Sequence, residues 1–170
     1  MPSTKRKLRK VRPVIYIHVE GYVEDAFLTC LRSYYHIADY KINIDNRRGG
    51  DPNIIINHAC NECNDTFRTA VFIDDDKPVS QEAYDRATRC NVKIIQNSPC
   101  IEGTLLNILE IEYNNDSNLC KKNFNEIIGE RNRTFNKAHT RLFPKDLLDQ
   151  RRQSVDQLDR IIRIMQGEDI

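Results

Sequence analysis

Apolar residues along this chain fall into two alternating rhythms. Val14–Val19 is a short, continuous β-rich run bounded by Pro13 and by Glu20-Gly21, the pattern of a buried strand. Immediately after it, Val23, Ala26, Phe27, Cys30, Leu31 and Tyr34 recur at helical spacing. The alternation continues with a strand over residues 40–44, a helix opened by Asp51-Pro52 and running through His58 to Cys63, and a strand over residues 69–73. Ser80 is placed to cap a helix over Gln81–Arg89, and residues 92–96 form a fourth strand. The turn Asn97-Ser98-Pro99 then leads into a helix carrying Leu105, Leu106, Ile108 and Leu109. Strands alternating with helices at this spacing predict an α/β fold: a parallel sheet flanked by helices, whose ligands collect at the carboxyl ends of the strands.

The pattern changes after residue 112. Residues 114–143 are polar with weak periodicity, whereas residues 144–166 place Leu147, Leu148, Val155, Leu158, Ile162 and Met165 on one stripe of an amphipathic helix. The expected organisation is therefore a basic flexible arm (1–12), an α/β domain (13–112), and a polar segment with a C-terminal amphipathic helix (113–170). Packing on the parent domain is the ordinary use of such a stripe; a homodimer or partner contact is the alternative. A length of 170 residues suits one domain with appendages. No apolar run approaches the roughly 18 residues that span a bilayer. The start MPSTKRKLRKVRP is basic but lacks the long apolar stretch of a signal peptide, so a cytoplasmic protein without membrane contact is expected.

Charge and cysteine usage refine this picture. The net charge of +1 hides six Lys or Arg and no acid in residues 1–12, and a second basic stretch over residues 131–152. Such an arm suits a polyanion held by its phosphates, or serves as a solubilising tail. The six cysteines read as free thiols. Cys60 and Cys63, with His58 just before them, supply half of a tetrahedral zinc site, but no second half follows.

The chemistry lies in three acidic clusters where strands end: Glu20, Asp74-Asp75-Asp76 and Glu102. Carboxylates gathered at one sheet edge repel each other unless a divalent cation or a reaction needs them. Asp74 and Asp76, two apart on an element leaving the sheet, can point to one side and hold Mg²⁺, with Mn²⁺ able to substitute, while Asp75 faces away. Glu20 binds the metal or acts as general acid or base, and Glu102, at a helix start, is the fourth metal-binding carboxylate. Each has an ordinary role when taken singly: Glu20 as a helix cap, the aspartates as a solvated turn, Glu102 as a first-turn acid. Independent capping gives no reason for all to meet at one edge. Arg47, Arg48 and Lys77 are the candidate phosphate contacts. His18, inside an apolar strand, reads as a core or rim residue, and His58 and His139 are weak candidates.

A strand ending in Glu-Gly, followed about fifty residues later by a strand ending in Asp-x-Asp, resembles the Toprim domain of topoisomerases, primases, OLD-type nucleases and small RNA maturases. EGYVEDAF looks like the EGxxTExxYF opening of RloB-like Toprim proteins, GGDPNIIINHA is similar to their Gly-x-x-Pro segment and helix, and IIQNSPCIEGTLLNIL resembles their SNPCFELWLLLHF stretch. The resemblance covers roughly residues 13–112. The chain departs from it at Glu24-Asp25 in place of Thr-Glu, Ser98 in place of Asn, Ile101 in place of an aromatic, and Gly103-Thr104 in place of Leu-Trp. It implies the same roles for Glu20, Asp74 and Asp76, with Mg²⁺ supporting phosphodiester chemistry.

The expected function is a Mg²⁺-dependent nuclease, a hydrolase acting on RNA or DNA, within prokaryotic or phage-related defence as the resemblance suggests. The alternative is a non-catalytic nucleic-acid-binding or regulatory module of Toprim fold working with an ATPase partner, since this chain has no phosphate-binding GxxxxGK[ST] loop of its own. A receiver-like phosphoacceptor at Asp74 lacks the acidic pair after the first strand and a well-placed late lysine. A topoisomerase-type tyrosine nucleophile lacks the strand-gating domains.

Overall fold

The computed structural model describes residues 12–63 and 67–169. Four strands, β1 (Val14–Val19), β2 (Lys41–Asn46), β3 (Phe67–Asp74) and β4 (Val92–Asn97), pair in parallel in the order β2-β1-β3-β4. Between them run the helices α1 (Tyr22–Tyr35), α2 (Pro52–Glu62) and α3 (Gln81–Arg89). The α/β class and the parallel sheet flanked by helices are thus as the alternation of periods predicts, and consistent with a Toprim-like fold.

Period-two alternation decides which helix covers which face. Ile15, Ile17 and Val19 of β1, with Ala70 and Phe72 of β3, join the larger core cluster, together with Phe27, Leu28 and Leu31 of α1. The intervening Val71 and Ile73 of β3 turn to the opposite face, where Ile55, Ile56 and Ala59 of α2 and Ala83 and Ala87 of α3 cover them. Local capping chemistry starts these helices where the sequence indicates. Asp51 accepts from the Asn53 N–H at 2.7 Å with Pro52 in the first turn, and Ser80 accepts from the Ala83 N–H at 3.2 Å.

The chain leaves β1 towards β2 on one side and returns to β3 on the other. The carboxyl ends of β1 and β3 therefore lie side by side at the point where the winding reverses, the usual position of a ligand crevice in an open α/β sheet.

The C-terminal third is more helical than its pattern suggests. The polar segment folds into α5 (Ser117–Ile128), a 3₁₀ turn over Glu130–Asn132, and α6 (Asn136–Leu142). Asp116 caps α5 by accepting from the Leu119 N–H, and Gly129 ends it at a positive φ of 82°. The single amphipathic helix expected over residues 144–166 is instead two, α7 (Lys145–Arg151) and α8 (Asp156–Met165). Val155, extended at φ −115° and buried, forms the break. The break lets α7 pack on the remaining helix, α4 (Ile101–Ile108), while α8 reaches α1 and β4. The apolar stripe of α7 and α8 lies in the same core cluster as the sheet, so this chain buries it itself. Among the described residues no helix is long and apolar enough to cross a membrane.

Candidate metal centre

At the reversal point the chain turns from β1 into α1 through Glu20 and Gly21. A Cβ on Gly21 would lie 3.1 Å from Glu24 Oε2, so the glycine leaves room for Glu24 to fold back over the turn. Glu24 is only 4% exposed, in the first turn of α1. Next to it β3 ends in Asp74, 7% exposed, whose Oδ1 accepts from the backbone N–H of Ile101 at 2.7 Å. That amide opens α4, which follows the Ser98-Pro99 turn with Cys100 at its N-cap and Glu102, 4% exposed, in its first turn. One ligand atom each from Asp74, Cys100 and Glu102 lies within 4.8 Å of the other two.

Concentrated negative charge in a dry place alters these groups. Burial, reinforced by Glu24 and Glu102, pushes Asp74 up to about 8 despite the Ile101 amide that favours its charged form. Burial likewise raises Glu24 to about 7, with Glu102 and Glu20 adding to it. Buried Cys100 is pushed up to about 12, so it stands as a neutral thiol rather than a thiolate. Glu102 Oε2 is buried with no hydrogen-bond partner. Lys121 of α5 approaches from the side: burial disfavours its charge, but Glu102 and Asp74 outweigh this and raise its pKa.

Three buried carboxyl groups, one of them carrying an orphaned oxygen, fit a divalent cation. Asp74 and Glu102 offer oxygen donors there, and Cys100 a sulfur within reach of the same point. Asp74 and Glu102 would hold the ion, with Glu24 beside them.

The remaining sequence candidates are distributed around this centre. Glu20 stands at the rim, its side chain 15% exposed, and Lys77 donates to its Oε1 at 3.2 Å and to the Gly50 carbonyl at 3.0 Å. Asp76 is exposed on the bend after β3, and its charge reaches both Lys77 and Lys121. Asp75 is exposed beside Gln96. Arg48 is exposed at a positive φ of 58°. Arg47 folds back onto Asp45, His58 and Glu62, and His18 lies buried beside that group. His139 is buried among Phe27, Phe124 and Phe143 and donates its Nε2–H to the Arg133 carbonyl at 2.7 Å, which is a core role. Cys60 and Cys63 belong to neither group of clustered metal-ligand side chains among the described residues, and none of the six cysteines forms a disulfide. The basic arm lies outside the described residues except for Arg12.

Glu24, Cys100 and Lys121 are the site residues that sequence reasoning missed. A signal existed for Glu24, because it follows Glu20 by only four residues across the Gly21 turn and so stays near the same sheet edge. Comparison with family models, with curated proteins and with solved structures found no match.

Proposed function

We propose that this chain is a Toprim-type, metal-dependent phosphodiesterase that cleaves RNA or DNA in the cytoplasm, in the manner the resemblance to RloB-like and OLD-type nucleases suggests. The observation that carries this reading is the burial of Asp74, Glu102 and Glu24 together at the β1/β3 reversal point, with Glu102 Oε2 unpartnered. Packing three acids together there opposes their ionisation, and a bound cation would offset that repulsion.

When bound, a divalent ion supplies Lewis acidity at a phosphoryl oxygen and lowers the pKa of a coordinated water. The side chains do the rest. Asp74, fixed through Oδ1 by the Ile101 amide, and Glu102 would hold the ion. Glu20, at the rim, is the group able to take a proton from an incoming water once a substrate phosphate draws Lys77 away from it. Lys77 and Lys121 flank the acids and offset charge on the phosphate. Asp76 completes the acidic rim, and the basic arm with Arg48 is available to hold a nucleic-acid backbone.

Purified protein is incubated with Mg²⁺ or Mn²⁺ and panels of single- and double-stranded RNA and DNA. Cleavage by the wild type and not by Asp74→Asn supports the proposal; equal cutting by both defeats it. Tight binding without cleavage of any substrate would instead favour a regulatory module that relies on an ATPase partner.

A further inference from the structure

A second group of ligand-type side chains lies on the sheet face covered by α2, and shares no residue with the acidic centre. His18 of β1 and Asp45 of β2 are register partners, and His58 and Glu62 lie one turn apart on α2. One ligand atom from each of the four lies within 4.8 Å of the others. The His18 ring is 0% exposed, and its Nδ1 is 3.0 Å from Asp45 Oδ2. A carboxylate only accepts, which assigns the proton to Nδ1 and leaves Nε2 as a bare lone pair. Nε2 has no hydrogen-bond partner and faces Glu62 Oε2 at 3.6 Å. Two acceptors opposed in this way call for a cation between them.

The neighbouring contacts show where positive charge is wanted. Arg47 Nη2 lies 2.5 Å from Asp45 Oδ2, 2.5 Å from His58 Nδ1 and 3.5 Å from Glu62 Oε1. One guanidinium nitrogen thus gathers ligand atoms of three of the four residues but leaves His18 Nε2 unmet. Two imidazoles and a carboxylate form a donor set typical of Zn²⁺, Co²⁺ and related ions, and a ligand histidine usually gives its other N–H to a carboxylate, as His18 gives Nδ1–H to Asp45.

We propose that His18, His58 and Glu62 ligate a divalent transition metal, with Asp45 orienting the His18 ring and Arg47 as the resident cation that the metal displaces. Arg47 follows β2 in the loop whose Gly49 N–H binds the Glu20 carbonyl and whose Gly50 carbonyl binds Lys77, so its release would occur beside the acidic centre.

Co²⁺ titrated into the reduced full-length chain, followed by visible absorption, tests this. The expected result is a high-affinity Co²⁺ with the weak bands of nitrogen and oxygen ligands and no thiolate charge-transfer band. His18→Gln and Glu62→Gln should remove it, Asp45→Asn should weaken it by about 10–100-fold, and Arg47→Ala should tighten it severalfold. The Asp74→Asn, Glu102→Gln double variant should retain it, which separates this site from the nuclease reading. Glu62 and Arg47 are solvent-accessible, so their variants report even if His18→Gln fails to fold. Co²⁺ binding that ignores His18→Gln and Glu62→Gln, a thiolate spectrum, or weaker binding in Arg47→Ala would each overturn the proposal.

Discussion

The backbone N–H of Ile101 donates to Oδ1 of Asp74 at 2.7 Å, tying the first residue of α4 to the last residue of β3. This bond favours the charged form of Asp74, while burial and the neighbouring Glu24 and Glu102 oppose it more strongly. The carboxyl group is therefore fixed in position but reluctant to ionise alone, a suitable state for a group that exchanges a proton for a metal ion.

Asp74→Asn and Asp74→Ala should behave differently. Asparagine keeps an oxygen for the Ile101 amide and removes the repulsion, so the metal-free protein should melt higher at pH 8 while cleavage falls to background. Alanine strands the amide, which costs about 1–3 kcal/mol, and lowers the melting temperature relative to Asp74→Asn. Differential scanning calorimetry of both variants measures this.

Stability without metal should fall as pH rises. Asp74 goes from 3.8 to about 8 on folding, and Glu24 from 4.5 to about 7. Between the lower and upper values the folded state binds more protons than the unfolded chain, so these groups contribute fully below about pH 4 and progressively less up to about pH 8. Denaturant titrations across that window should show the decline. Mn²⁺ should offset it most at the alkaline end, where no protons compete for the carboxylates.

Lys77→Met tests the rim. Its bond with Glu20 is largely exposed on the lysine side, so folding stability should change by less than about 1 kcal/mol. Freed from the ammonium, Glu20 should bring the Mn²⁺ Kd down severalfold, whereas Glu20→Gln should raise it. Calorimetric Mn²⁺ titration of the variants checks both directions.

Gly103→Ala should disturb α4 without touching a carboxylate. The added Cβ would lie 2.9 Å from Pro99 Cδ, 3.1 Å from Tyr113 Cε2 and 3.2 Å from the Ser98 carbonyl. Overpacking of this kind costs about 1–3 kcal/mol, and the displaced helix start should weaken Mn²⁺ binding through Glu102. Chemical denaturation paired with Mn²⁺ titration reads both effects.

The sheet was legible because its central strands β1 and β3 bury both faces and its helices carry their own signals, such as Asp51-Pro52 and Ser80. The carboxylates at β1, β3 and α4 were legible because a parallel sheet places its strand ends together. The helices of residues 114–143 were not: α5 buries only Cys120, Phe124 and Ile128, and α6 only His139, too few to set a clear period. Glu24 resembled any acid in a first helical turn, a place where such residues are common on the surface. Lys77 meets Glu20 across 57 residues, and Arg47 turns inwards to a cluster drawn from three elements. Partner choice of that kind follows from tertiary contacts, which no local pattern records.

Anomalous diffraction from a crystal soaked in Mn²⁺ bears most directly on the acidic centre. A peak bounded by Asp74 and Glu102, absent from Asp74→Asn crystals treated alike, is the outcome expected. Ordered carboxylates with no ion between them at saturating Mn²⁺ would contradict the assignment.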